Sequence, residues 1–218
     1  MELKNYQIQV IRDLERFLEL LIEKQSISSA YSTLWNEKGV NVGIDGMPPY
    51  KTELAGVPQV CFKVPTGGGK TFLAANSIKP IFDSMPHIHP KAVVWLVPSD
   101  AILTQTYRTL TDKNHDYRKK IDVDFGNKVE IYSKQQLLNG QNFNPTSVSD
   151  NLSVFVLSYD SFRTSKKDGR KAYQENGSLL PFVRFKQDSG SLLEDTDETA
   201  LIQVIRKLNP VVIVDESH

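Results

Sequence analysis

The sequence predicts an α/β fold, a parallel sheet with helices on both faces, and three observations carry that expectation. First, five short runs read as strands: Gln59–Val64, Lys91–Val97, Lys128–Tyr132, Leu152–Ser158 and Val211–Val214. Most are continuous apolar stretches rather than alternating ones, the pattern of strands buried on both faces. Second, helical stretches alternate with them: after Lys70, at Ala101–Leu110, at Lys134–Leu138 and at Thr199–Leu208. Third, the chain has 218 residues with 39% hydrophobic and 24% charged, an ordinary globular composition for one domain with appendages.

The elements follow in order. Gln7 to Lys24 reads as an amphipathic helix, with apolar residues at Ile11, Leu14, Phe17/Leu18 and Leu21/Ile22 on one buried stripe. From Asn36 to Pro58 the periodicity is lost among Gly39, Gly43, Gly46, Pro48, Pro49, Gly56 and Pro58, which predicts a long loop. The expected division is therefore residues 1–58, a helix and a Gly/Pro-rich insertion, followed by 59–218, a nucleotide-binding domain. Pro80 limits or kinks the helix after Lys70. The stretch Ser161–Asp197 reads as a surface insertion.

Composition excludes several classes. Lys plus Arg and Asp plus Glu number 26 each, so net charge names no partner. The distribution is uneven: Arg163, Lys166, Lys167, Arg170 and Lys171 face Asp168 alone, and Asp188–Glu198 is acidic without a basic residue. Such a basic run is either a phosphate contact or a solvated face. The single cysteine, Cys61, excludes an internal disulfide and is expected to be packed and inert in its strand. No apolar run approaches the ~20 residues of a membrane helix, and the start lacks a secretory pattern. A cytoplasmic protein without a membrane partner is expected. His87 and His89 have no ligand-spaced companions, so zinc is not expected.

The chemistry concentrates at Val64-Pro65-Thr66-Gly67-Gly68-Gly69-Lys70-Thr71, between an expected strand and an expected helix. Successive glycines let backbone N–H groups approach an anion, and the helix start adds its dipole. Lys70 would reach the β- and γ-phosphates of ATP and the Thr71 hydroxyl would ligate Mg2+. The usual pattern opens with Gly or Ala where Val64 stands. At the other end, Val211–Val214 is expected to be a buried strand delivering Asp215 and Glu216 to the carboxyl edge of the sheet. Asp215 would hold the Mg2+ shell through water and Glu216 would polarise the attacking water.

These stretches resemble superfamily 2 helicases and translocases of the Asp-Glu-x-His branch. Pro65–Thr71 is similar to their motif I, and Asp215-Glu216-Ser217-His218 to motif II. The resemblance implies a P-loop NTPase of RecA-like architecture, here an incomplete first motor domain. It also implies that Val97-Pro98-Ser99 with Gln105 touches the nucleic-acid backbone. Tyr159, within Ser158–Phe162, lies where a further contact on that face is expected. His218 would couple the ATP site to nucleic acid. Leu3–Gln7 is similar to the adenine-recognising segment, with Gln7 reading the base edge and Tyr6 packing nearby; an exposed glutamine at a helix start is the alternative for Gln7. Ser99 reads equally as a phosphate donor or a helix cap.

Among these families the chain most resembles the restriction subunit of type III restriction enzymes. That implies an ATP-dependent motor on DNA, a second RecA-like domain supplying an arginine, and a modification or specificity subunit as partner. It also implies a strand after motif II, lying between the phosphate-loop and motif II strands. Its lack here would leave a central gap in the sheet, and the 218 residues alone are expected to be a piece that hydrolyses ATP slowly. A non-catalytic nucleotide-binding fragment and a P-loop kinase are the alternatives. Glu216 beside Asp215 favours hydrolysis over the kinase, whose nucleophile is its substrate rather than water.

Overall fold

The computed structural model describes residues 2–183 and 199–215. The chain divides into two compact units, Met1–Met85 and Pro86–His218, so the phosphate-loop sequence groups with the N-terminal helices.

In the first unit, helix α1 spans Asn5–Lys24 and buries Gln7, Ile11, Leu14, Phe17, Leu18 and Leu20. Ile22, expected on the buried stripe, is 56% exposed, and Leu20 is wholly buried in its place. The reason is a second helix that the sequence analysis misses. α2, Ile27–Glu37, is capped by Ser26, whose hydroxyl accepts from the Ser29 N–H at 3.3 Å. It brings Ala30 against Phe17 and Leu20 and so redirects the apolar face of α1. Beyond α2 the chain is irregular up to α3, Lys70–Ser84, apart from an isolated bridge between Val42 and Met47. α3 runs through Pro80.

The expected strand Gln59–Val64 is not formed. Its residues carry no strand assignment, and Val60, Cys61 and Phe62 are exposed. A strand exists through ladder hydrogen bonds to a neighbour, and no described strand borders this one. Cys61 is consequently an exposed thiol rather than a packed one.

The second unit holds the sheet. β1 (Ala92–Val97), β2 (Val129–Ser133), β3 (Leu152–Ser158) and β4 (Val211–Val214) lie in the order β2-β3-β1-β4, all parallel. β3 is buried at every position because it has a strand on each side. Val94 and Tyr132 are both in register with Phe155 and share one face with it. There they meet Leu137 of α6 (Lys134–Leu138), Val148 of α7 (Pro145–Asp150) and Val204 of α8 (Leu201–Lys207). Helices α4 (Asp100–Thr111) and α5 (Asp116–Asp124) complete the unit, burying Leu110 and Ile121; α4 contacts β1, β2 and β3.

Two further expectations are corrected. β4 is not buried throughout: Val212 and Val214 are exposed at 57% and 44%, as the strand pairs with β1 on one side only among the described residues. Nor is the segment after Ser161 simply a surface insertion, because Ala172, Leu179 and Phe182 are buried and the last two join the core. α5 and α7 are likewise helices the sequence analysis misses. Residues 184–198, with the acidic block, lie outside the described residues.

Candidate nucleotide site

The phosphate loop is built by its glycines. Gly67 and Gly69 take φ of 75° and 72°, a left-handed conformation that side chains resist, and Gly68 between them is buried. A Cβ on Gly68 would lie 2.6 Å from Val64 Cγ1 and 2.8 Å from the Pro65 carbonyl oxygen. Only a hydrogen there lets the loop close, and the Gly68 N–H donates to the Pro65 carbonyl at 2.9 Å. Val64, where the usual pattern has Gly or Ala, packs onto that missing side chain.

α3 starts directly after the loop, with Gly69 as its N-cap residue, which has no side chain to cap it. The start of a 15-residue helix is thus left without a side-chain cap. A phosphate group fits such a position, since the N-terminal end of a helix and its dipole favour an anion. Lys70 and Thr71 occupy the first two helical positions and are half-buried.

Tyr6 and Gln7 close the loop from the N-terminal side. The Tyr6 hydroxyl and Gln7 Nε2 (2.9 Å) both donate to the Gly68 carbonyl, across some sixty residues of sequence. Gln7 Oε1 accepts from the Lys4 N–H at 2.8 Å, and Gln7 is only 4% exposed. The exposed helix-start alternative therefore fails. The side-chain amide of Gln7 keeps two further hydrogen-bonding positions, a donor on Nε2 and an acceptor on Oε1. Removing the Tyr6 hydroxyl (Tyr6→Phe) is expected to cost about 0.5–1.5 kcal/mol of stability. Thermal unfolding would read this as a lowered midpoint, and an unchanged midpoint would exclude the bond as a contributor.

In the second unit the remaining candidates lie at the carboxyl ends of the strands. Asp215 follows β4, is 5% exposed, and its N–H donates to the Leu96 carbonyl at 3.0 Å, extending the ladder on β1. Ser99 caps α4, its hydroxyl accepting from the Ile102 N–H at 3.4 Å. Gln105 is exposed on α4, and Tyr159 opens a 3-10 turn, Tyr159–Phe162, after β3. Glu216 and His218 lie outside the described residues.

The structure adds residues that the sequence analysis did not single out as site candidates. Ser158 Oγ donates to Asp100 Oδ1 at 3.1 Å, tying the end of β3 to the start of α4, and the Ser158 N–H donates to Ser161 Oγ at 3.2 Å within the turn that follows. Beside them Lys134, the first residue of α6, has its amine held below the ordinary lysine range by burial, with the carboxylates of Asp168 and Asp100 opposing. The Ser-x-x-Ser spacing at 158–161 is the one sequence signal of this cluster, since it matches a helix cap.

The fold and the loop define a class: a phosphate-loop α/β domain with an all-parallel sheet. Within that class, the family model described as type III restriction enzyme, res subunit, matches residues 1–218, and the chain belongs to that family. It is the N-terminal RecA-like domain of a superfamily 2 helicase-like, ATP-dependent motor. No curated protein and no solved structure matches the chain. Among the described residues no helix is long and apolar enough to cross a membrane.

Proposed function

We propose that this chain is the ATP-binding part of a DNA translocase, acting in the restriction subunit of a type III restriction-modification system. The observation carrying the reading is the joint grip of Tyr6 and Gln7 on the Gly68 carbonyl, which ties an adenine-side segment to the phosphate loop. Gln7 reads the adenine edge with its spare donor and acceptor, a bidentate amide pairing that guanine does not match. Pro65, Thr66 and Gly67–Gly69 wrap the phosphates, and Lys70 neutralises the β- and γ-oxygens. Thr71 and Asp215 orient Mg2+, which when bound withdraws charge from the transferred phosphoryl group. Glu216 positions and polarises the attacking water.

Ser99, Gln105 and Tyr159 contact the sugar-phosphate backbone of DNA at the carboxyl edge of the sheet, and His218 couples that contact to the ATP site. A second RecA-like domain contributes the completing arginine, and a modification subunit supplies sequence specificity. The described site residues bind and orient; the resulting hydrolysis is slow without that second domain.

The test compares Mg-ATP with Mg-GTP by calorimetric titration of wild-type and Gln7→Ala chains. Wild type is expected to prefer ATP, and the variant to lose about 1–3 kcal/mol of that preference, roughly 5- to 150-fold in affinity ratio. A ratio is compared because Gln7 also anchors α1, and a general loosening would weaken both nucleotides alike. Equal affinity for the two nucleotides in the wild type would reject the base-reading role.

A further inference from the structure

We propose that the basic segment Arg163–Lys171, together with Lys134, is a preformed platform that grips the phosphates of duplex DNA; this rests on the polynucleotide reading above. The charge is concentrated. Lys134, Arg163, Lys166, Lys167, Arg170 and Lys171 are six cations, set against the carboxylates of Asp100, Asp160 and Asp168, which leaves three positive charges in excess.

A merely solvated charged run needs no internal architecture, and this one has it. The Lys166 N–H donates to the Arg163 carbonyl at 3.1 Å, and the Arg170 N–H to the Lys166 carbonyl at 3.1 Å. Arg170 Nε donates to the Thr164 carbonyl at 2.6 Å, and the Tyr173 hydroxyl to the Phe162 carbonyl at 3.1 Å. Gly169 is buried so tightly that a Cβ would sit 1.9 Å from the Arg163 carbonyl oxygen. Ala172 beneath is wholly buried, and the Lys134 amine donates to the Asp168 carbonyl, docking the segment beside α6.

The two nearest carboxylates offset part of the charge and hold the cations in place. Asp160 receives both Lys166 and Arg163, the latter at 3.2 Å, and Asp168 receives Lys171 at 3.0 Å. The bonds from Lys166 and Lys171 hold the carboxyls of Asp160 and Asp168 below the usual carboxylate range. The ammonium and guanidinium groups are thereby oriented while staying exposed, and a surface ordered in advance gives up less entropy on binding.

Position selects the occupant. Lys134 directly follows β2 and Asp160 lies just past β3, so the platform overlooks the carboxyl edge of the parallel sheet, beside Ser99 and Tyr159. Exposed point charges of this kind match phosphates and carry no base readout.

The test is fluorescence-anisotropy titration of a fluorescein-labelled 30-base-pair DNA duplex over a range of salt, with Mg-ATP affinity measured in parallel. Lys166→Gln combined with Lys167→Gln is expected to reduce the slope of log K against log salt by about two. Affinity at ~0.1 M salt should fall at least tenfold, with the ATP affinity unchanged. The Lys166→Arg, Lys167→Arg pair should restore both slope and affinity. Gly169→Ala keeps every charge but breaks the architecture, and is expected to weaken DNA binding as well. If wild type binds the duplex and the glutamine pair binds with the same slope, the platform is rejected while the motor reading stands. If wild type binds no duplex, both fall.

Discussion

Replacing Lys70 by alanine is expected to lower the single-turnover rate of ATP cleavage by about 10²–10³-fold. The amine stands at the first position of α3, immediately after Gly69, where the uncapped helix start already favours an anion. Charge on the γ-phosphate oxygens is spread in the transition state, so a fixed cation there contributes more to the rate than to ground-state binding. The variant should therefore bind Mg-ATP only modestly less well while the cleavage step collapses. Lys70 is half-buried at a helix start and packs no core, so thermal stability should change little. Quenched-flow measurement of phosphate formation, with ATP in deficit, reads the step directly. A variant cleaving at the wild-type rate would remove Lys70 from the mechanism.

Truncating Phe155 to alanine should cost about 3–5 kcal/mol of stability. Its ring is wholly buried and lies 5.5 Å from Phe143 and 5.9 Å from Tyr132, centroid to centroid. β3 is hydrogen-bonded on both sides, so the void opens in the middle of the sheet and has no free edge along which to relax. Urea denaturation should show a lower midpoint with an unchanged slope. Val212→Ala on β4 is the comparison, because that side chain is already 57% exposed and should cost less than about 1 kcal/mol. Equal losses at the two positions would contradict the assignment of the core.

The parts of the molecule legible in the sequence are those whose physics is local. Gly67-Gly68-Gly69-Lys70-Thr71 announces a phosphate loop because its conformational demands fall on adjacent residues, and the loop has the positive φ angles those glycines allow. Four apolar runs become the four parallel strands for a similar reason, since burial on both faces requires continuous hydrophobicity.

What was not legible depends on distant partners. Gln59–Val64 has strand composition, yet a strand needs a neighbour, and nothing in those six residues records whether one is there. Ser26 gives α2 a cap, but Ser28, Ser29, Tyr31, Ser32 and Thr33 have weak helix propensity, and packing on α1 outweighs it. Leu179 and Phe182 lie in a short apolar run, Leu179–Val183, that Pro181 interrupts and that has neither helix nor strand length, so their core positions follow only from how the chain returns to the sheet. In the candidate site, Gln7 could be placed beside the glycine loop only by resemblance, because its bond to Gly68 spans so much sequence.

The strand order has a consequence for how the chain is made. β1 pairs with β4 through partners such as Val94 and Val212, more than a hundred residues apart. During synthesis the earlier strand must wait, one side unzipped, until the later one has left the ribosome. Contacts so remote in sequence form slowly. Throughout that interval the waiting backbone offers a template to any passing extended segment, and nascent chains crowded on one messenger are the nearest source of such segments. A chaperone that shields Ala92–Val97 before Val211–Val214 arrives would raise the yield of native protein without altering its final stability.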